Sequence, residues 1–173
     1  MNVIRLTVLA LLVGLTACAP KGIDVRTKFG PDNDFSKYKT WNWVPMDQWR
    51  TGDARIDDPI VKDTIERAIR DEMYDAGFAR VEENPDMIIS YTVGISRERD
   101  EDGFNDKTDQ WAPKNTFEKG ALTILIFETE TGGALFGGVA EAEIDNTATR
   151  ASREKRLRSA VGEIIKALKK GMK

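Results

Sequence analysis

Gly120-Ala121-Leu122-Thr123-Ile124-Leu125-Ile126-Phe127 decides the fold. Leu122, Ile124 and Ile126 alternate with Thr123, Leu125 and Phe127, so the segment is apolar on both faces and reads as a central strand. Thr131-Gly132-Gly133 turns the chain. Leu135 to Ile144 then returns with Phe136, Ala140, Ala142 and Ile144 on one side and Glu141 and Glu143 on the other, which makes the pair a hairpin. Gly137-Gly138, inside the second arm, lacks the strand-glycine-helix setting and the Lys-Ser/Thr ending of a phosphate loop. It reads as a close-packing or bulge site.

Working upstream, Met87, Ile89, Tyr91, Val93 and Ile95 share one face of a strand against Ile88, Ser90, Thr92, Gly94 and Ser96. Asn84-Pro85-Asp86 turns into it from a short strand, Phe78 to Val81. Before that lies a helix. Asp57-Asp58-Pro59 supplies capping side chains and a first-turn proline, and Val61, Ile65, Ala68, Ile69, Met73 and Ala76 recur at helical spacing until Gly77 ends the run. Earlier still, Trp41 and Trp43 fall on one face of a strand closed by Pro45, and Ile23, Val25 and Thr27 begin the first alternation. Downstream, Ala151 to Lys170 forms an amphipathic helix with Leu157, Ala160, Val161, Ile164, Ile165 and Leu168 on its apolar face. The predicted fold is α+β: a single domain in the order β-β-α-β-β-β-β-α, with a mainly antiparallel sheet and two helices packed on one face. Trp41, Ile65, Ile69, Ile89, Leu125 and Ile164 are expected to share one core.

The N-terminus has another purpose. A basic start and an apolar run from Leu6 to Leu15 are too short for a membrane span, which needs about 20 apolar residues. They read as a secretory leader. Leu15-Thr16-Ala17-Cys18 resembles the lipobox of bacterial lipoproteins, which implies cleavage before Cys18, a diacylglycerol on its thiol and acylation of the new amine. Residues 1–17 are then a signal peptide, 18–22 a lipidated cysteine and short tether, and 23–173 the domain. Ala19 to Gly22 at roughly 3.3 Å per residue span only about 13 Å, so the domain is expected to sit close to the bilayer. Aspartate after the cysteine resembles the retention signal of inner-membrane lipoproteins. Ala19 stands there instead, which points to the periplasmic face of the outer membrane.

The domain as a whole resembles a widespread family of bacterial lipoproteins defined by a domain of unknown function. The matching pieces are Asp34-Phe35-Ser36-x-Tyr38-x-Thr40-Trp41-x-Trp43, Asp58-Pro59, Gly77-Phe78, Pro85-Asp86-x-x-x-Ser90-Tyr91, Gly120-x-Leu122-x-Ile124 and Thr131-Gly132-x-x-Leu135-Phe136-x-Gly138. Members commonly carry tryptophan where Phe136 stands, and a Phe-Pro that Ala167-Leu168-Lys169-Lys170 does not keep. The resemblance implies no catalytic residues.

Composition narrows the function. There is no histidine, and if Cys18, the only cysteine, carries the lipid, no thiol is left either, so imidazole and thiolate chemistry and nearly every zinc site fall away. With 26 basic against 29 acidic residues, the chain has a formal net charge of −3, and losing Arg5 with the leader makes it more negative. Bulk affinity for nucleic acid is not expected. Three constellations remain. Glu98, Asp100, Asp102, Asp106 and Asp109 occupy calcium-loop spacings with Gly103 in the sixth place, but a strand precedes them and Pro113 follows, so a solvated hairpin loop is the better reading. Trp49, Phe104 and Trp111 lie in polar connections and either mark a partner surface or fold over the core. Lys155, Arg158, Lys166 and Lys169, with Lys170 nearby, form a basic stripe suited to an envelope protein or lipid head groups, or simply a solvated helix face. The expected protein is a non-enzymatic binding or structural module of the envelope, with no cofactor beyond the covalent lipid. A lipid or small-ligand carrier using a pocket between helices and sheet is the first rival, and a carboxylate-dependent hydrolase the second.

Overall fold

The structure is a computed structural model that describes residues 22–31, 34–45, 51–99, 104–105, 110–111 and 116–172. Strands β1 (Asp24–Phe29), β2 (Thr40–Trp43), β3 (Ala79–Arg80), β4 (Met87–Arg99), β7 (Thr116–Glu128) and β8 (Ala134–Glu143) form one sheet in the order β1-β8-β7-β4-β2-β3. The pairings from β1 to β4 are antiparallel, and those of β4 with β2 and of β2 with β3 are parallel. Two helices, α1 (Pro59–Asp75) and α2 (Arg150–Gly171), complete the α+β domain. Phe104–Asn105 (β5) and Gln110–Trp111 (β6) pair as a separate short ribbon.

Local chemistry sets the ends of both helices. Asp58 accepts from the Ile60 amide and Pro59 occupies the first turn of α1. At its far end Gly77 adopts φ +91°, the Phe78 amide donates to the Met73 carbonyl and the Gly77 amide to that of Tyr74. These paired bonds are the Schellman ending that the Gly77-Phe78 sequence predicts. Thr149 caps α2 by accepting from the Ser152 amide.

The apolar faces meet as expected, with one exception. Trp41, Ile65, Ile69, Ile89 and Ile164 are buried in a common core with Ile124, Ile126 and Phe136. Leu125 is not among them. Alternation along β7 gives Leu122, Ile124 and Ile126 to the helices and leaves Leu125 half-buried on the opposite face, because a single helical layer covers only one side of the sheet. The long hairpin is also longer than its apolar pattern: β4 and β7 pair out to Arg99 and Thr116, through residues that are polar or charged except for Phe117.

Two details tighten one end of the layer. Ile126 pairs with Phe136 and Phe127 with Ala134, so Leu135 is the extra residue of a β-bulge and is buried together with Phe136. Beside it, a Cβ on Gly138 would stand 2.4 Å from the Ile164 Cγ2. Gly138 is the close-packing site, and the bulge lies three residues earlier.

Candidate functional site

Both helices start at the same end of the sheet, where Gly120 of β7 pairs with Ala142 of β8 and Ile95 of β4 with Gly120. The inward positions there are small. Gly120, Ala140 and Ala142 occupy the levels that Ile124, Ile126 and Phe136 fill at the other end, and Ala160 faces them from α2. The result is an apolar cleft of about 250 Å³ between sheet and helices. Leu122 and Ala140 belong to its buried floor, Val61 and Leu157 close the helix side, and Ile23, just before β1, lies at its edge.

The mouth is held by charge. Arg55 donates from Nη2 to Asp53 Oδ2 and from Nη1 to Glu118 Oε2, both at 2.7 Å, and Asn146 Nδ2 donates to the same Glu118 oxygen. These bonds join the loop before α1 to β7 and to the turn before α2. Hydrogen bonding from Arg55 holds the Asp53 carboxyl down to about 2 and lowers that of Glu118. Asp145 accepts from the hydroxyl and amide of Thr147, which keep its carboxyl low. Arg153 and Arg156, one turn apart on the face of α2 that also carries Leu157 and Ala160, line the same cleft. Among the described residues neither has a carboxylate within ion-pair distance.

The residues singled out in the sequence lie elsewhere. Cys18, Trp49, Asp100, Asp102, Asp106 and Asp109 fall outside the described residues. Glu98, the first of the calcium spacing, pairs with Lys119 at 2.9 Å across the hairpin. The register sets Phe104 opposite Trp111, and their side chains lie outside the described part. The basic stripe is partly neutralised. Arg158 reaches Glu154, Lys166 reaches Glu163, and Lys169 crosses to Glu72 of α1 at 3.3 Å, while Lys155 stays exposed. Lys169 therefore borders the groove between the helices rather than an open basic face. The carboxyls of Asp34, Asp53, Asp86, Glu118, Glu128 and Asp145 are each displaced downward. Arg55, Arg153 and Arg156 escaped the sequence reading. Their signal was the loss of bulk along the inward positions of both arms of the hairpin, from Ile124 and Phe136 to Gly120 and Ala142.

The family model described as "Domain of unknown function (DUF4136)" matches residues 25–168. The chain belongs to this family. In DUF4136 terms, the motif residues of this chain are scaffold. Asp34 caps the turn that buries Phe35, accepting from the Ser36 amide. Asp86 accepts from the Lys39 and Thr40 amides at 2.8 Å each and donates its own amide to Thr40 Oγ1, fastening the start of β2 to the start of β4. Tyr38 donates to Glu128, and so does Thr131.

No curated protein matches the chain. Among solved structures it is similar to a PDZ domain protein from Parabacteroides distasonis, with TM-score 0.54 and 14% identity over 83% of this chain and 35% of that one. This DUF4136 chain thus spans about a third of that protein's length. It is also similar to a PelC dodecamer from Paraburkholderia phytofirmans, with TM-score 0.51 and 10% identity over 85% of this chain and 97% of that one. A minor lipoprotein from Acinetobacter baumannii aligns at TM-score 0.43 and 14% identity, over 79% and 93% of the two chains. At these identities the likeness is one of fold.

Proposed function

We propose that this protein is a lipid-anchored, non-enzymatic binding module of the cell envelope, held through Cys18 at the periplasmic face of the outer membrane, with the cleft as its binding surface. The observation that carries this reading is the position of Ile23, which follows the tether directly and borders the cleft. Four residues, Ala19 to Gly22, separate it from the cysteine that the lipobox would acylate. A fully extended tether of that length covers roughly 13 Å, so the mouth stays near the lipid surface. The leader and Ala19 support export and the outer-membrane destination. Among the described residues no helix is long and apolar enough to cross a membrane, which leaves the acyl chains as the anchor in this reading. Each buried methylene contributes roughly 0.8 kcal/mol, so several acyl chains attach the domain almost irreversibly.

Mass spectrometry of the mature N-terminus and separation of inner from outer membranes test it. Acylated Cys18 in the outer-membrane fraction is the expected result, and a Cys18→Ser protein that remains in the membrane fraction would overturn it. The acidic segment from Glu98 to Asp109 has no part in this function. Calorimetric titration with calcium is expected to show no micromolar binding, and a site that disappears in Asp100→Asn/Asp102→Asn would make the segment functional after all.

A further inference from the structure

We propose that the cleft takes a single acyl chain, with an anionic head group held at its mouth by Arg153 and Arg156. The inference rests on the cleft being the binding surface and names what it binds. At about 250 Å³ the space exceeds the roughly 150 Å³ apolar cavity known to hold benzene and falls just short of the roughly 300 Å³ at which drug-sized sites begin. That suits the end of one chain and excludes a complete two-chain lipid. The lining is apolar at depth, with Leu122, Ala140, Ala160 and Ile144, and polar only at the rim.

The rim has a sign. Glu141 and Glu143 alternate to the far face of β8, where Glu141 pairs with Arg26 at 2.6 Å. Arg55 is occupied by Asp53 and Glu118, and the Asp145 carboxylate accepts from Thr147. Arg153 and Arg156 remain as two guanidinium groups with no carboxylate within ion-pair distance among the described residues, beside apolar surface, and the charge of Arg156 acts only at longer range on Asp145. A carboxylate or phosphate satisfies such a pair through charge-assisted hydrogen bonds, and a neutral head does not.

The mature chain from residue 18, produced with Cys18→Ser, keeps every residue of the core, which runs from Phe35 to Leu168. Calorimetric titration of it with dodecanoate, dodecyl maltoside and monoacyl phosphatidylglycerol, each below its micelle concentration, tests the proposal. Saturable binding of an anionic ligand is expected, weakened about tenfold or more by Arg153→Ala/Arg156→Ala, as loss of charged hydrogen bonds predicts. Ala142→Leu, which fills the cleft, should abolish it while a thermal melt shows the domain folded; if that variant does not fold, the arginine pair decides. Preference for dodecanoate points to a free fatty acid, and preference for the glycerophosphate head to membrane lipid. Equal binding of dodecyl maltoside, with no effect of the arginine variant, would overturn the anionic head and leave the cleft as a binding surface. No binding of any of the three would overturn the acyl ligand altogether, whereas the anchoring reading stands or falls on Cys18 alone.

Discussion

The two ends of the helix–sheet layer are built from the same elements and differ in bulk. At one end Phe35, Trp41, Met73, Phe78, Met87, Ile126 and Phe136 fill the space, Phe29 packs edge-on against both Phe35 and Phe136, and Gly138 lets Ile164 down onto the sheet. At the other end Gly120, Ala140, Ala142 and Ala160 leave an opening, and charged residues guard it. Interiors normally pack to crystal-like density. A cleft that persists beside so full a core is a local choice of side chains, because the β4–β7 pairing runs unbroken through both ends and the β7–β8 pairing is irregular only at the Leu135 bulge of the filled end.

The largest effect should come from truncating the filled end. Ile69→Ala removes a completely buried side chain and is expected to cost about 2–5 kcal/mol, against a smaller loss for Val61→Ala at the half-buried cleft wall. Denaturant midpoints of the two variants measure this, and equal losses would erase the contrast between the ends. Next, Gly138→Ala puts a methyl 2.4 Å from Ile164 and should cost about 1–3 kcal/mol by overpacking. A variant as stable as the parent would show that α2 can lift from the sheet.

Acid should loosen both ends by different routes. Backbone hydrogen bonds from Lys39 and Thr40 lower the Asp86 pKa from its ordinary 3.8, and the Arg55 side chain does the same for Asp53 at the cleft. A folded pKa below the unfolded one means that the stabilisation is present above about pH 4 and is lost as pH falls through the folded value. Asp86→Asn should flatten the stability profile in that window by removing one titrating group, and a profile as steep as the parent's would argue against it. The smallest effect belongs to Gly120→Ala. Its Cβ would meet nothing nearer than Ile144 Cγ1 at 3.5 Å, so the reduced freedom of the unfolded chain should raise stability by about 0.4–1 kcal/mol. A loss there would mean that the open end is tighter than its geometry.

Much of this was written in the sequence. Periodicity placed both helices and every strand of the main sheet, and the Asp58-Pro59 and Gly77-Phe78 pairs fixed the limits of α1 because capping is local chemistry. Leu125 was misassigned since a strand apolar on both faces does not say which face the helices will choose. The bulge at Leu135 left no local mark, as it depends on pairing with Ile126 and Phe127. The cleft arginines were hidden for a related reason: Arg55 and Arg153 lie on separate loops and helices, and only the closed fold brings them to one mouth. What the motifs did reveal was scaffold, since residues such as Asp86 are demanded by backbone amides whatever the cleft binds.

The placement of β1 has a consequence for how the chain folds. β4, β7, β8 and α2 follow one another in sequence and assemble through neighbouring segments, whereas β1 pairs with a strand roughly a hundred residues downstream, the sort of non-local contact that forms slowly. Until it does, β8 is a bare edge whose unpaired backbone groups can template another chain. Arg26 and Lys28, standing on the strand that finally covers that edge, keep the finished border charged. Hydrogen exchange should therefore find the amides of β1 opening well before those of β7, and equal protection would mean that the late strand is locked as firmly as the centre.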